Sequence, residues 1–502
     1  MTRQNCAHLV LLLSLTAGIA LAQAAPKNSS KNLPTDASAV IRRAEKAMGD
    51  VKSIRYSGTG ELGAVGMNWN TTAPWHTTTL TRYIRTIDYP SASSTEEINR
   101  RQDNPPMLGG EAPFVDPIHE GRRVSGKYAW NQPFNAYPAP PPEKVQPAPA
   151  AAYERGLQIW LTPHGFLKAA AENHATAEAG EESGAKVTIL TFMLGKNKII
   201  GAIDSRNLVM TVKTWIPNPV LGDMPVETAY RDYKDFNGVK FPTHIFEKQG
   251  GFPTLGLVVT SAQAGIQEAA LQVPDAVLHA TIPPERVTPE KLADGVWLLH
   301  GGHNSALVEF KDFVAVVDAP LNETRSLAVI AAVKKLVPDK PIKYVINTHH
   351  HFDHSGGLRT YVAEGATVIT HEGNKAFYEW AWKQPRTLEP DKLAENPKEP
   401  TFITYKTKYV LTDGTRSLEV HLTIGDNHDE FLSFAYLPKE KLLIEVDDFS
   451  DRYATPMSLG LWNNLYGNLQ RLNLDVETIA PLHGNIITMP EWLKLLREST
   501  EN

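Results

Sequence analysis

The segment at residues 348–357 limits what this chain can fold into more than any other part of its sequence. It follows an apolar run at Ile342–Ile346, which predicts a buried strand, and it ends in two glycines. Clustered imidazoles with no packing role add nothing to stability, whereas imidazole and carboxylate groups together suit Zn²⁺. The segment therefore predicts a metal site at a strand end. Its candidate ligands fall within six residues and include His349, His350, His351, Asp353 and His354.

The spacing inside this segment predicts two adjacent metal positions. Alternate side chains of a strand point the same way, so His349 and His351 can reach one ion from the strand end. Asp353 and His354 follow and can turn toward a second position beside the first. Glycines at 356–357 let the backbone approach the site where the next helix is predicted to begin.

The H-x-H-x-D-H pattern resembles the signature of the metallo-β-lactamase superfamily, and the resemblance runs from about residue 286 to the end of the chain. It implies an α/β fold, the αββα sandwich, with a metal-dependent hydrolase site. The element pattern agrees, because predicted strands at 296–299 and 314–317 precede a predicted helix at 327–336. We therefore expect a catalytic domain at residues 286–502.

Further residues take roles through this resemblance. Asp318 follows an apolar strand and corresponds to an aspartate that holds the metal-binding loop without touching the ion. His428 corresponds to the third ligand of the first ion, whereas its rival His421 lies in a predicted strand and is expected to be structural. His483 corresponds to the last ligand of the second ion.

The position that bridges the two metals is ambiguous by one residue. The family usually has an apolar strand that ends in Gly-Asp, and that aspartate contacts both ions. In this chain Val446 replaces the glycine and two aspartates follow it. Register favours Asp447 as the bridging residue, with Asp448 as the alternative.

Together these residues form a complete ligand set for two zinc ions per chain. Three protein ligands per ion leave an open position, as catalytic zinc requires. A hydroxide held by the metals is the expected nucleophile, and Asp353 is the residue expected to orient it or shuttle its proton. His303, in a loop between two predicted strands, is a candidate for lining the pocket. The first ion is assigned to His349, His351 and His428, and the second to Asp353, His354 and His483, with Asp447 between them.

The resemblance and the charge together indicate a small carbonyl substrate. The bridging aspartate is similar to that of the lactonase and glyoxalase II branch, which favours an ester, lactone or thioester. The formal net charge of -6 offers no basic surface for a nucleic acid. A β-lactam or a phosphodiester on the same site remains the alternative.

The N-terminal half predicts an antiparallel, β-rich domain at residues 30–272. A helical pattern at 35–48 is followed by short strands that are separated by glycine, proline and asparagine. This pattern resembles the half-barrel of periplasmic lipoprotein carriers, which implies an alternative function as a non-catalytic lipid-binding protein. Because all proposed ligands lie beyond it, a fragment that starts near residue 280 is expected to fold and bind metal alone.

The first residues predict export to the periplasm or the medium. Arg3, an apolar run at 9–22 and the small residues Ala22 and Ala24 form a signal peptide pattern, with cleavage expected after residue 24. No later stretch is long and apolar enough to span a membrane. The single cysteine, Cys6, lies inside the signal, so any metal site in the mature chain must use His, Asp and Glu. The oligomeric state stays open.

Overall fold

A computed structural model describes residues 36–103, 107–110, 118–132, 145–267, 270–450 and 458–500. The predicted signal peptide at residues 1–24 lies outside the described residues. Among the residues that are described, no helix is long and apolar enough to cross a membrane.

In the described residues, the N-terminal part forms one large antiparallel sheet and three α-helices. The helices are α1 (Ala37–Met48), α2 (Ala152–Leu161) and α3 (Pro163–Glu172). The strands are β1 (Ser53–Asn68), β2 (Trp75–Asp88), β3 (Ser93–Arg101), β4 (Ile118–Ser125), β5 (Tyr128–Gln132), β6 (Gln146–Pro147), β7 (Thr176–Glu182), β8 (Ala185–Leu194), β9 (Asn197–Ile203), β10 (Val209–Asn218), β11 (Gly222–Phe236), β12 (Val239–Gln249) and β13 (Phe252–Ala264). Within the described ranges their order in the sheet is β6-β5-β4-β3-β2-β1-β13-β12-β11-β10-β9-β8-β7.

Local sequence explains these elements. Helix α1 buries Val40, Ile41, Ala44 and Met48 at helical spacing against the sheet, so the helix predicted over 35–48 is confirmed. Strands β11 and β12 are joined by Asn237 and Gly238, which have φ values of 56° and 90°. Two residues with positive φ form the tight turn that asparagine and glycine favour between antiparallel strands.

The C-terminal part contains two sheets with helices on their outer sides. Its first sheet contains β14 (Thr288–Ala293), β15 (Val296–His300), β16 (Ser305–Glu309), β17 (Val314–Val317), β18 (Ile342–Ile346), β19 (Thr367–His371) and β20 (Phe402–Tyr405). Its second sheet contains β21 (Lys408–Thr412), β22 (Ser417–Leu422), β23 (Ser433–Leu437), β24 (Leu442–Glu445), β25 (Thr478–Pro481) and β26 (Ile487–Thr488). The helices of this part are α5 (Glu323–Leu336), α6 (Phe352–Ser355), α7 (Leu358–Glu364), α8 (Glu372–Ala381), α9 (Lys392–Glu395), α10 (Leu459–Arg471) and α11 (Met489–Thr500). The short helix α4 (Asp275–Leu278) precedes this part and contacts β5 and β6 of the N-terminal sheet.

Three buried clusters show that these elements form four layers. Side chains of both sheets, such as Val317 and Ile444, pack together in one cluster between the sheets. A second cluster joins the first sheet to α5 and α7 through residues such as Val329. A third joins the second sheet to α10 and α11 through Trp462 and Trp492. The expected αββα sandwich, preceded by an antiparallel β-rich region, is therefore confirmed.

The two parts of the chain are joined by hydrogen bonds of buried and partly buried groups. The guanidinium of Arg386 donates to the carbonyl oxygens of Asn218, Pro219 and Val220 at 3.1, 3.0 and 2.6 Å. The carboxylate of Asp223 accepts from the backbone amide of Thr387 at 2.9 Å. The side chain of Arg386 is only 5% exposed and Val220 is buried, so the Val220 carbonyl has little access to water as a substitute partner.

Replacing Arg386 with alanine should destabilise the full chain by about 2–4 kcal/mol, because three backbone acceptors lose a charged donor. The control is Lys196→Ala, which removes an exposed contact to Glu389 across the same interface and should cost less than about 1 kcal/mol. Unfolding in urea measures both changes. Equal losses in the two variants would show that the Arg386 contacts do not hold the two parts together.

Candidate metal centre

Six connections bring titratable side chains to one edge of the sandwich. The segment after β18 carries His349, His351, Asp353 and His354, and α6 begins within it. The other residues come from loops after four different strands, namely His303 after β15, Asp318 after β17, Asp447 after β24 and His483 after β25, with His428 in the connection between β22 and β23. The ends of adjacent parallel strands lie together, so residues far apart in the sequence meet here.

The first cluster consists of His349, His351 and His428. One ring nitrogen of each lies within 4.8 Å of the others, and all three side chains are buried. Nε2 of His349, Nδ1 of His351 and Nε2 of His428 have no hydrogen-bond partner. Three buried nitrogen lone pairs therefore converge on one point.

The second cluster consists of Asp353, His354 and His483, and His303 joins it. Oδ2 of Asp353 lies 3.5 Å from Nε2 of His354 and 3.8 Å from Nε2 of His483. Nδ1 of His303 lies 3.7 Å from the same oxygen and has no hydrogen-bond partner. His303, which the sequence suggested only as a pocket-lining residue, is thus a fourth potential ligand of this cluster.

Asp447 lies between the two clusters. Its Oδ2 is 3.4 Å from Nε2 of His349 and 3.4 Å from Nε2 of His428 in the first cluster. The same oxygen is 3.1 Å from Nε2 of His354, and Oδ1 is 3.3 Å from Nε2 of His483, in the second cluster. Asp447 has a φ of 62°, a left-handed conformation that aspartate adopts more readily than most residues. Its backbone can thus turn the carboxylate inward without the glycine that the family usually has before it.

Asp318 fixes the segment that carries the ligands. Its carboxylate accepts from the amide and the hydroxyl of Thr348, each at 2.8 Å, and from Nδ1 of His354 at 2.8 Å. Because Nδ1 of His354 donates its proton here, Nε2 is left to face the cluster. This placement matches the indirect role that the resemblance implies for Asp318.

Electrostatics keep most of these imidazoles in their neutral, metal-binding form. Burial, followed by the nearby His428, lowers the pKa of His351 to about 3. Burial, followed by His483, lowers the pKa of His303 to about 3, and burial likewise holds the pKa of His349 well below its usual range. Neutral imidazole is the form that binds a metal ion.

The carboxylates have the opposite effect on His354. Burial alone would lower the pKa of His354, but Asp447 and Asp353 outweigh it and raise that pKa well above its usual range. Burial would raise the pKa of Asp447, but His354, His483 and His428 outweigh it and hold that pKa well below its usual range. Asp447 is thus an ionised carboxylate at neutral pH.

The two rival candidates lie outside both clusters. Asp448 is buried, and burial followed by the neighbouring Asp426 raises its pKa well above the usual range. His421 pairs with Glu419 at 2.8 Å and stacks on Phe434 within the second sheet. Neither side chain is among the groups of potential ligands in the described residues.

Two residues that contact the histidine segment, Asp429 and Asn68, had no role in the prediction from sequence. Asp429 lies with Oδ2 2.5 Å from Nδ1 of His350, and both are fully buried. Asp429 directly follows His428, so its position beside a ligand could have been noticed. Asn68, at the end of β1 in the N-terminal sheet, contacts His350 and His351 and has no such signal.

The donor set fits metal ions. Buried polar atoms are almost always paired, yet unpartnered nitrogen and oxygen atoms converge here from both clusters, and Asp353 Oδ1 and Asp447 Oδ2 are among them. Imidazole and carboxylate donors of this kind suit zinc and other transition metals.

A comparison with protein families agrees with this fold and site. Residues 299–444 match the model of the metallo-beta-lactamase superfamily, so the resemblance is confirmed for that part of the chain. The fold is of the metal-dependent hydrolase type. The matched segment contains His303, His349, His351, Asp353, His354 and His428, and it ends before Asp447 and His483. No curated protein sequence matches the chain.

Solved structures similar to this chain include two metallo-beta-lactamases and a flavodiiron protein. The metallo-beta-lactamase from Pontibacter korlensis is 20% identical with a TM-score of 0.35, over 43% of this chain and 100% of its own. The DIM-1 metallo-beta-lactamase is 19% identical with a TM-score of 0.31, over 43% and 98%. The flavodiiron protein from Giardia intestinalis is 16% identical with a TM-score of 0.34, over 44% and 60%. At these TM-scores the likenesses carry no argument about function.

The two neighbouring aspartates can be separated by substitution. Asp447→Asn should lower the metal content of the purified protein by at least half, because the amide removes the one negative charge shared by both clusters. Asp448→Asn, the matched control one residue away, should leave the content unchanged. Elemental analysis of both proteins is the measurement. A greater loss in Asp448→Asn would move the shared position by one residue.

Proposed function

We propose that this protein is an exported, dinuclear zinc-dependent hydrolase that acts on the carbonyl group of a small ester, lactone or thioester. The observation that carries the proposal is the pair of ligand clusters with the ionised carboxylate of Asp447 between them. Two clusters around one shared carboxylate are suited to two cations, and a single ion would leave several buried nitrogen atoms unpaired.

The ligands are assigned as the sequence predicted. His349, His351 and His428 would hold the first ion, and Asp353, His354 and His483 the second, with Asp447 in contact with both. His303 stands beside the second ion as a further donor or a pocket residue. When bound, the ions would polarise the substrate carbonyl and lower the pKa of a water molecule enough for attack at neutral pH.

Exposure indicates the side from which the substrate approaches. The side chains of His303 and Asp353 are each 22% exposed, and those of His483 and Asp447 are 16% and 13% exposed. In the first cluster, His349 and His351 are fully buried and His428 is almost fully buried. A small substrate therefore approaches over the second cluster, next to Asp353.

Asp353 is placed to take up a proton there. Burial would raise its pKa, but the nearby His354 outweighs it and holds that pKa below its usual range, so the carboxylate is ionised at neutral pH. Its Oδ1 has no hydrogen-bond partner, whereas Oδ2 faces three imidazoles. Asp353 can therefore accept a hydrogen bond from an attacking water molecule and orient it toward the substrate.

Export rests on the sequence of residues 1–24, which carry the features of a cleaved signal peptide. Cleavage after residue 24 would remove the single cysteine, Cys6, so the candidate site of the mature chain is built from histidine and aspartate alone. A carbonyl substrate is favoured over a nucleic acid because the net charge is -6.

The preference among substrates can be tested with the purified mature protein loaded with zinc. We expect kcat/KM on a lactone or a thioester to exceed that on a cephalosporin and on an aryl phosphodiester, and we expect EDTA to abolish all turnover. Asp353→Asn serves as the matched variant, since it keeps the shape of the side chain but removes its basicity. A cephalosporin preferred by more than about tenfold, or roughly 1.4 kcal/mol of transition-state stabilisation, would reject the carbonyl-ester assignment in favour of a β-lactamase.

A further inference from the structure

The tip of the N-terminal sheet lies directly on the histidine segment. Gly66, near the end of β1, has a φ of 78°, and a Cβ at this position would come within 2.2–2.6 Å of the Phe352 ring. Phe352 stands between His351 and Asp353 in the sequence and packs edge-on against Trp75, the first residue of β2. Glycine at this position is therefore what allows β1 to approach the metal-binding segment so closely.

The backbone of Asn68 holds the ring of His351. Nε2 of His351 donates to the carbonyl oxygen of Asn68 at 2.8 Å. This bond places the proton on Nε2 and leaves the lone pair on Nδ1, the atom that faces His349 and His428 without a partner. A histidine that binds a metal usually donates its other nitrogen to such an acceptor, which fixes the tautomer and the ring orientation.

The side chain of Asn68 holds the neighbouring histidine. Nε2 of His350 lies 3.1 Å from Oδ1 of Asn68, while Nδ1 of His350 faces the carboxylate of Asp429. Asn68 is 3% exposed, and its amide nitrogen donates back to the carbonyl oxygens of Asn70 and Ala73. The amide nitrogen of Asn68 is therefore bonded within the turn after β1, and its Oδ1 contacts the histidine segment.

The same turn contacts the loop that carries His428. Nε1 of Trp69 donates to the carbonyl oxygen of Asp426 at 3.2 Å, and the amide of Glu430 donates to the carbonyl oxygen of Trp69 at 2.7 Å. The amide of Gly109 donates to the carbonyl oxygen of Asn427 at 2.8 Å. These three bonds fix the backbone on both sides of His428.

We propose that the end of β1 and the turn after it, residues 66–70, are a component of the metal centre, in which Asn68 is a positioning residue for His350 and His351. The inference rests on the proposed function, because it concerns the ligands of the first ion. It assigns the N-terminal sheet a task in metal binding. It also reverses the expectation that a fragment from about residue 280 would bind metal alone, since that fragment lacks the acceptor of His351.

The test measures zinc affinity in the full chain by competition with a chromophoric chelator. Gly66→Ala pushes the turn away from Phe352. Asn68→Ala removes the side-chain bonds to Asn70 and Ala73 that hold this turn, and with them the position of the Asn68 carbonyl that accepts from His351. Each should weaken Zn²⁺ binding by about 10- to 100-fold, the usual effect of losing a residue that orients a metal ligand. The visible spectrum of the Co²⁺ form should change in both variants, since the ligand geometry around the ion changes.

Gly184→Ala is the matched control, because Gly184 has nearly the same φ, 79°, but a Cβ there meets nothing within 4 Å. The thermal unfolding midpoint of each EDTA-treated protein separates ligand positioning from a general loss of stability. If Gly66→Ala does not fold, Asn68→Ala alone decides the question. Wild-type affinity in both variants, or an equal loss in Gly184→Ala, would overturn the inference while leaving the proposed function intact. A wild-type chain that binds no Zn²⁺ would overturn both.

Discussion

The contact of one carboxylate with four imidazoles is the interaction on which this site depends. Asp447 lies 3.1–3.4 Å from nitrogen atoms of His349, His354, His428 and His483. Asp447 and these four histidines lie in four connections that belong to two sheets. The αββα packing must therefore bring all four connections to one edge. Several of their buried lone pairs remain unpaired, a cost that a bound cation would offset. The fold thus brings together an arrangement that is suited to metal binding.

The sequence predicted the part of the fold and site in which local chemistry is decisive. A strand followed by clustered histidines predicted a metal site after β18, and the structure brings His349, His351, Asp353 and His354 together there. Residues from distant loops, such as His428 and His483, required the resemblance, because spacing alone does not say which strand ends meet. The αββα order of the layers was likewise predicted from the resemblance and not from spacing. For the two aspartates after β24, register favoured Asp447, and the geometry places Asp447 and not Asp448 beside the two clusters.

The contribution of the N-terminal sheet could not be predicted. Asn68 acts through a backbone carbonyl, which every residue has, so no side-chain pattern marks it. Gly66 is one of several glycines in β1, and only the position of Phe352 shows why it must be glycine. A contact between residues 283 positions apart depends on how the two parts of the chain dock, which the hydrogen bonds of Arg386 and Asp223 also help to fix. The N-terminal sheet is therefore best regarded as part of the site that it covers.

The most direct test of a dinuclear zinc centre is anomalous X-ray diffraction from crystals of the full chain, recorded on both sides of the zinc absorption edge. We expect two zinc peaks, both beside Asp447. One should lie among His349, His351 and His428, and the other among Asp353, His354 and His483. A single peak, peaks away from Asp447, or a signal at the iron edge in place of the zinc edge would contradict it.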